Sequence, residues 1–181
     1  MAVRKVMRMG HPVLRQTARA LTTAELRAPG MPQFIQDMVD TLHDYGGIGL
    51  AAPQIGEPIR LLIIEMRGGS TRYGELAAMP LTVYINPEIE VLDPATAGFW
   101  EGCLSVPGLR GFVERPQHLG VRYIDLAGKQ NQIELKGFQA TCFQHEFDHL
   151  NGTLYIDRIT DLTRLAFDDE YMRYHTGDEI D

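Results

Sequence analysis

The 181-residue chain has no apolar run near the roughly 20 residues needed to cross a bilayer, so no membrane partner is expected. Cysteine is scarce: Cys103 and Cys142 are too few for a disulfide scaffold at this length. In a reducing compartment their roles are packing, metal binding or catalysis. Positive charge is also short. A formal net charge of −7 argues against a broad nucleic-acid surface, so no DNA partner is expected, and against a polybasic membrane contact. No signal-peptide core follows the start, because Arg4, Lys5 and Arg8 interrupt it. Acids are missing before Glu25, while Arg4, Lys5, Arg8, Arg15 and Arg19 precede it. An Arg-rich, acid-poor start can be an organelle transit peptide. Met9 to Arg15, however, reads as a turn leading into a folded element, and a cytoplasmic protein is the expectation. A composition 44% hydrophobic and 23% charged suits a single domain, 1–181, with a real core.

What is present is organised around His145-Glu146-Phe147-Asp148-His149. Histidines four residues apart on a helix share one face, so both imidazoles can reach one metal ion. Glu146 beside them can handle the protons of an attacking water. Ala140 to Leu150 lacks Pro and Gly and reads as a helix, stopped at Asn151-Gly152. The bland alternative is a helix with two solvated or core histidines.

The rest of the chain reads as short elements. A helix is predicted from Pro32, where Phe34, Ile35, Met38, Val39 and Leu42 follow helical spacing, ending at Gly46-Gly47. Gly47 to Gln54 is either a Gly-rich loop of small residues or a backbone segment shaped to lie against a ligand. It is no phosphate-binding loop, since no Gly-Lys-Ser/Thr follows. Strands are expected at Ile59 to Met66, at Thr82 to Ile85 before Asn86-Pro87, and at Glu88 to Leu92 before Asp93-Pro94. More follow at Phe112-Val113, Leu119 to Leu126 and Gln132 to Phe138, with Ala127-Gly128-Lys129 as a hairpin turn. Leu154-Tyr155-Ile156 reads as a closing strand and Arg67 to Pro80 as an exposed, mobile loop. The tail 161–181 has seven acids against Arg164 and Arg173. Leu162, Leu165 and Ala166 could begin a helix there, with frayed last residues.

A third metal ligand has two cysteine candidates. Cys142 shares the histidines' helix, where three ligands on successive turns converge poorly. Cys103 comes from a separate extended segment, Phe99 to Gly108, so spacing favours a Cys103, His145, His149 site with an open fourth position. The bland reading of Cys103 is a buried structural thiol. A zinc protease would need a third His where Tyr155 stands, or a Glu such as Glu170. A non-catalytic protein would close its metal site with a fourth ligand, Cys142 included.

Three stretches, Gly47-Ile48-Gly49-Leu50-Ala51-Ala52-Pro53-Gln54, Glu101-Gly102-Cys103-Leu104-Ser105 and Gln144-His145-Glu146-Phe147-Asp148-His149-Leu150, resemble in order the three signature motifs of the peptide deformylase family. Met9 to Arg15 also resembles that family's start, and the likeness spans about residues 4–160. It implies an α+β fold, antiparallel β-sheets packed around a central helix bearing the two histidines. It implies Cys103, His145 and His149 as metal ligands, Glu146 as general acid/base, and Gln54 with the Leu104 N–H as oxyanion donors. Ile48, Phe99, Phe138 and Cys142 would line a methionine pocket, Gly49 and Gly102 would bond the peptide backbone, and Arg110 would lie near the pocket mouth. The implied reaction is hydrolysis of the N-formyl group from the initiator methionine of nascent peptides. The metal implied is Fe²⁺ in the cell, with Zn²⁺, Ni²⁺ or Co²⁺ as substitutes. Some bacterial members dock on the ribosome through a basic C-terminal helix. The acidic tail here makes any ribosome contact transient.

Overall fold

The computed structural model describes residues 2–71, 74–76 and 78–175, with backbone alone at 70, 71 and 74–76. Helix α1 (Thr23–Leu26) opens on a capping box in which Thr22 and Glu25 satisfy each other's backbone N–H. Helix α2 (Met31–Asp44) has Pro32 in its first turn and buries Ile35, Met38, Val39 and Leu42, the predicted face. Strand β1 (Gly49–Ala51) follows, then a 3-10 turn (Ala52–Ile55) and β2 (Leu61–Met66). The Gly-rich stretch is therefore not a loop: Gly49, Leu50 and Ala51 pair antiparallel with Ile64, Ile63 and Leu62.

Several expectations are corrected downstream. Arg67 to Pro80 holds a small hairpin of β3 (Gly69–Thr71) and β4 (Gly74–Leu76), and the next strand already begins at Met79. Residues 72, 73 and 77 of that stretch lie outside those described. Second, the strands expected on either side of Asn86-Pro87 and Asp93-Pro94 are one strand, β5 (Met79–Cys103). The prolines fall where the register shifts, between Ile85 and Glu88 and between Asp93 and Thr96, so neither owes a ladder hydrogen bond. Asn86 takes φ of 49° there, and its amide closes both hydrogen bonds to Leu21 at 2.8 Å. Third, Leu154 to Ile156 is no strand. The Asp157 carboxylate accepts from the Leu154 N–H at 2.8 Å and turns the chain into a 3-10 segment, Tyr155–Arg158.

β5 returns as β6 (Val106–Ile124), which pairs with β7 (Gln130–Lys136) across the expected turn at Ala127-Gly128-Lys129. Helix α3 (Phe138–His149) carries both histidines and stops near Gly152, whose φ of +70° suits glycine. The helix expected from Leu162 is a 3-10 turn (Leu162–Arg164), then β8 (Leu165–Phe167) on β6 and helix α4 (Asp168–Tyr174). The final residues, where fraying is expected, lie outside those described.

The sheet runs β1-β2-β5-β6-β7 with β8 on β6, antiparallel throughout. β2 is buried on both faces from Leu61 to Ile64, which explains that four-residue apolar run. Leu61 and Ile63 join Met38, Leu42 and Leu50 under α2. Leu62 and Ile64 join Tyr84, Leu119, Val121 and Phe143 toward α3. Among the described residues no helix is long and apolar enough to cross a membrane.

Candidate metal centre

Cys103 ends β5, and its partner in the ladder is Val106, the first residue of β6. The sequence suggests an extended segment here. The structure folds it into a tight hairpin whose tip is Leu104-Ser105. That hairpin meets α3, whose successive turns bring His145 and His149 to Cys103. One donor atom from each of the three lies within 4.8 Å of the others, and Cys103 Sγ is 3.3 Å from His149 Nε2. Cys142 is outside this group. It is buried in the apolar cluster below α3, and burial pushes its thiol pKa well up, which keeps it protonated.

The donor set fits a divalent ion. One sulfur and two imidazole nitrogens suit iron or zinc. His145 Nδ1 is 2.7 Å from Glu101 Oε2, which leaves Nε2 with its lone pair free for a ligand role. Two polar atoms beside these donors, Glu146 Oε2 and His149 Nδ1, are buried without a hydrogen-bond partner.

Burial disfavours charge on both histidines. Cys103 and Glu101 outweigh it at His145, whose pKa is held well above the usual value. At His149 burial, then the positive charges of His145 and Arg115, push the pKa well below it. Burial also pushes the Glu146 carboxyl up to about 7, into the range of a general acid/base.

Sequence reasoning misses the shell behind these groups. Arg115, only 3% exposed, donates to Glu101 through Nε at 2.6 Å and Nη2 at 3.1 Å, and to Asp148 through Nη1 at 2.8 Å. Asp148 also accepts from Arg158 at 2.6 Å. Burial costs Glu101, but His145 and Arg115 hold its carboxyl below the usual range. One signal was available: Glu101 stands two residues before Cys103 in the same short motif. Nothing local marks Arg115.

The remaining candidates mostly converge. A cleft of about 670 Å³ is lined by Ile48, Gly49, Gly102, Leu104 and Arg110, with Phe138, Cys142 and Glu146 deeper along α3. Phe99 is not in that lining. Its ring meets the edge of Phe138 at 5.5 Å, and its neighbour Trp100 lines the cleft instead. Gln54 is fully buried and fixed: Oε1 accepts from the Ala51 N–H at 2.8 Å, while Nε2 lies 3.5 Å from Cys103 Sγ and 3.3 Å from Ser105 Oγ. Gly49 is a steric requirement, since a Cβ there would sit 2.5 Å from Glu146 Oε1. Tyr155, which stands where a zinc protease would have a third His, stacks on His145 at 5.9 Å.

A family model described as polypeptide deformylase matches residues 3–165. The chain belongs to this family. It is 39% identical over 170 residues to a peptide deformylase of Leptospira biflexa, covering 94% of this chain and 95% of the relative. The crystal structure of the Thermotoga maritima peptide deformylase matches at a TM-score of 0.78 and 37% identity, over 89% of this chain and all of that one. A Met-Ala-Ser-bound class I type b peptide deformylase of Acinetobacter baumannii matches at 0.83 and 36%, over 87% and 99%. Peptide deformylases are metal-dependent hydrolases of the formyl group on the initiator methionine of new polypeptides, and that is this chain's activity.

Proposed function

We propose that Cys103, His145 and His149 hold one divalent ion, Fe²⁺ in the cell, and that Glu146 and Gln54 with the Leu104 N–H carry the hydrolysis. The observation that carries this is the convergence of three donors, within 4.8 Å, in the cleft that Glu146 lines. One thiolate and two imidazoles also accommodate Zn²⁺, Ni²⁺ or Co²⁺, and the thiolate makes a ferrous protein oxygen-sensitive. The ion would supply Lewis acidity toward water and the formyl oxygen. Glu146 takes the proton of the attacking water at its unpartnered Oε2 and returns it to the leaving amine. Its raised pKa lets it hold that proton between the two steps. The tetrahedral intermediate's negative oxygen meets Gln54 Nε2, which is oriented by the Ala51 and Ser105 contacts, and the Leu104 N–H. Each such donor is worth about 10²–10³ in rate.

Ile48, Phe138 and Cys142 receive the methionine side chain, and a protonated Cys142 suits an apolar wall. Phe99 backs Phe138, and Gly49 and Gly102 offer backbone hydrogen bonds to the peptide. The chain acts as one catalytic domain with α3 at its centre, in the cytoplasm, with transient ribosome contact.

The test is formate release from formyl-Met-Ala-Ser by protein purified without oxygen and loaded with Fe²⁺ or Ni²⁺. Release should need the metal and fall about 10²–10⁴-fold in Glu146→Ala. Undiminished release in that variant would remove Glu146 from its role.

A further inference from the structure

One wall of the cleft comes from the C-terminal segment. β8 pairs with Leu109 to Gly111 of β6, and α4 then brings Asp168 to the cleft beside Arg110. The Arg110 guanidinium packs on Gly102, where an added Cβ would meet Nη1 at 3.0 Å and Cζ at 3.1 Å. Gly102 adjoins Cys103, so this cation lies next to the metal donors. Asp168 Oδ1 pairs with Arg110 Nε at 2.6 Å; the arginine side chain is 9% exposed and the aspartate 45%. The guanidinium also lies over the Tyr171 ring at 5.6 Å, and Tyr171 packs on Trp100 at 4.9 Å. The pair is thus held in place by aromatic packing, with the cation inward and the carboxylate facing the open cleft.

We propose that Asp168 is a specificity-determining residue that sets the charge preference for the residue after the formylated methionine. The inference rests on the deformylase reading. A peptide whose formyl group reaches Cys103 must lay its next residues over the adjoining lining, which includes Gly102 and Arg110. Arg110 alone would attract an acidic side chain. Asp168 neutralises that charge, so the pull on acidic side chains is lost and neutral or basic ones are accepted. Lys5 and Arg8 reach the same cleft from the N-terminal segment. Their influence is unchanged by substitutions at Asp168, so comparing variants isolates the Arg110 end.

The experiment measures kcat/KM for formate release from formyl-Met-Glu-Ser, formyl-Met-Ala-Ser and formyl-Met-Lys-Ser, with the metal-loaded wild type and Asp168→Asn. The Glu-to-Ala ratio should rise about two- to fivefold in the variant and the Lys-to-Ala ratio should fall. Both changes should shrink at high ionic strength. Tyr171→Leu, which loosens α4 without changing charge, should move all three peptides alike. Unchanged ratios in Asp168→Asn, or the same ratio change in Tyr171→Leu, would overturn the inference. Wild type that releases no formate from formyl-Met-Ala-Ser would overturn the deformylase reading, and this inference with it.

Discussion

Helices α2 and α3 pack on opposite faces of the same strand, β2, and are built by opposite rules. α2 buries mainly aliphatic side chains, with Asp37 and Thr41 its two buried polar residues. α3 buries Ala140, Cys142 and Phe143, but also His145, Glu146, Asp148 and His149. Its polar residues face inward because their partners, Cys103, Glu101 and Arg115, come from the β5–β6 hairpin. The α2 side is held by apolar area, which tolerates graded loss. The α3 side adds to its own apolar cluster a set of matched charges, where each group has become the other's solvent. Buried charge of that kind is poor evidence of added stability but is costly to break. What it secures here is the orientation of the His145 imidazole and the ionisation of the groups around it.

The largest effect should come from breaking the charged side. Arg115→Met takes the buried guanidinium from Glu101 and leaves Asp148 with Arg158 alone, and a stability loss of about 3–5 kcal/mol is expected. The metal bound per chain should fall with it, because Glu101 no longer fixes His145. Leu42→Ala, in the apolar side, should cost about 2–5 kcal/mol and leave the metal content alone. Urea unfolding with metal analysis of both proteins separates the two regions. Full metal retention by Arg115→Met, or metal loss in Leu42→Ala, would erase the distinction.

A second substitution tests the boundary between the regions. Gly49 sits in β1, which is paired to the apolar strand β2, yet its missing side chain is what admits Glu146. The added methyl of Gly49→Ala would meet Glu146 Oε1 at 2.5 Å, Cγ at 2.6 Å and Cδ at 2.7 Å. A side chain can turn away from such a contact more easily than a strand can shift. The expected result is therefore a kcat reduced by about 10²-fold or more, with Tm moved by less than about 4 °C. In a Glu146→Ala background the methyl has little left to meet, so the two losses should not multiply. Multiplying losses would mean that Gly49 acts on the peptide and not on Glu146.

The same contrast explains what was legible in the sequence. α2 was readable because apolar burial leaves a period in the residues themselves. β2 was readable as a strand from the β-branched and apolar residues between Ile59 and Met66. The donor triad was readable because His145 and His149 are local to one helix and Cys103 stands in a distinctive motif. Arg115 was not, since its role depends on pairing β6 with a hairpin and a helix far away in sequence. The breaks expected at Asn86-Pro87 and Asp93-Pro94 failed because a bulge can absorb a proline where no ladder bond is owed. Asp168 is one of seven acids in the tail, and only the pairing of β8 with β6 brings it to the cleft.

The smallest expected effect sharpens the comparison from outside both regions. Glu25, in the capping box before α2, is held at about 2 by the Arg19 side chain and by the Thr22 backbone and hydroxyl. Its folded pKa lies below its ordinary value. Its contribution to stability is therefore present above roughly pH 4.3 and is lost as pH falls toward 2. The Tm gap between wild type and Glu25→Gln should be at most about 2 °C near pH 6 and should close by about pH 2. It should also narrow with added salt. The chemistry matches that of Glu101 with Arg115, a carboxylate with its pKa lowered by a guanidinium. The difference is water: an exposed pair exchanges one good solvent for another, while a buried pair has no alternative partner. A gap as large as that of Arg115→Met would mean that burial is not what gives the α3 side its dependence on charge.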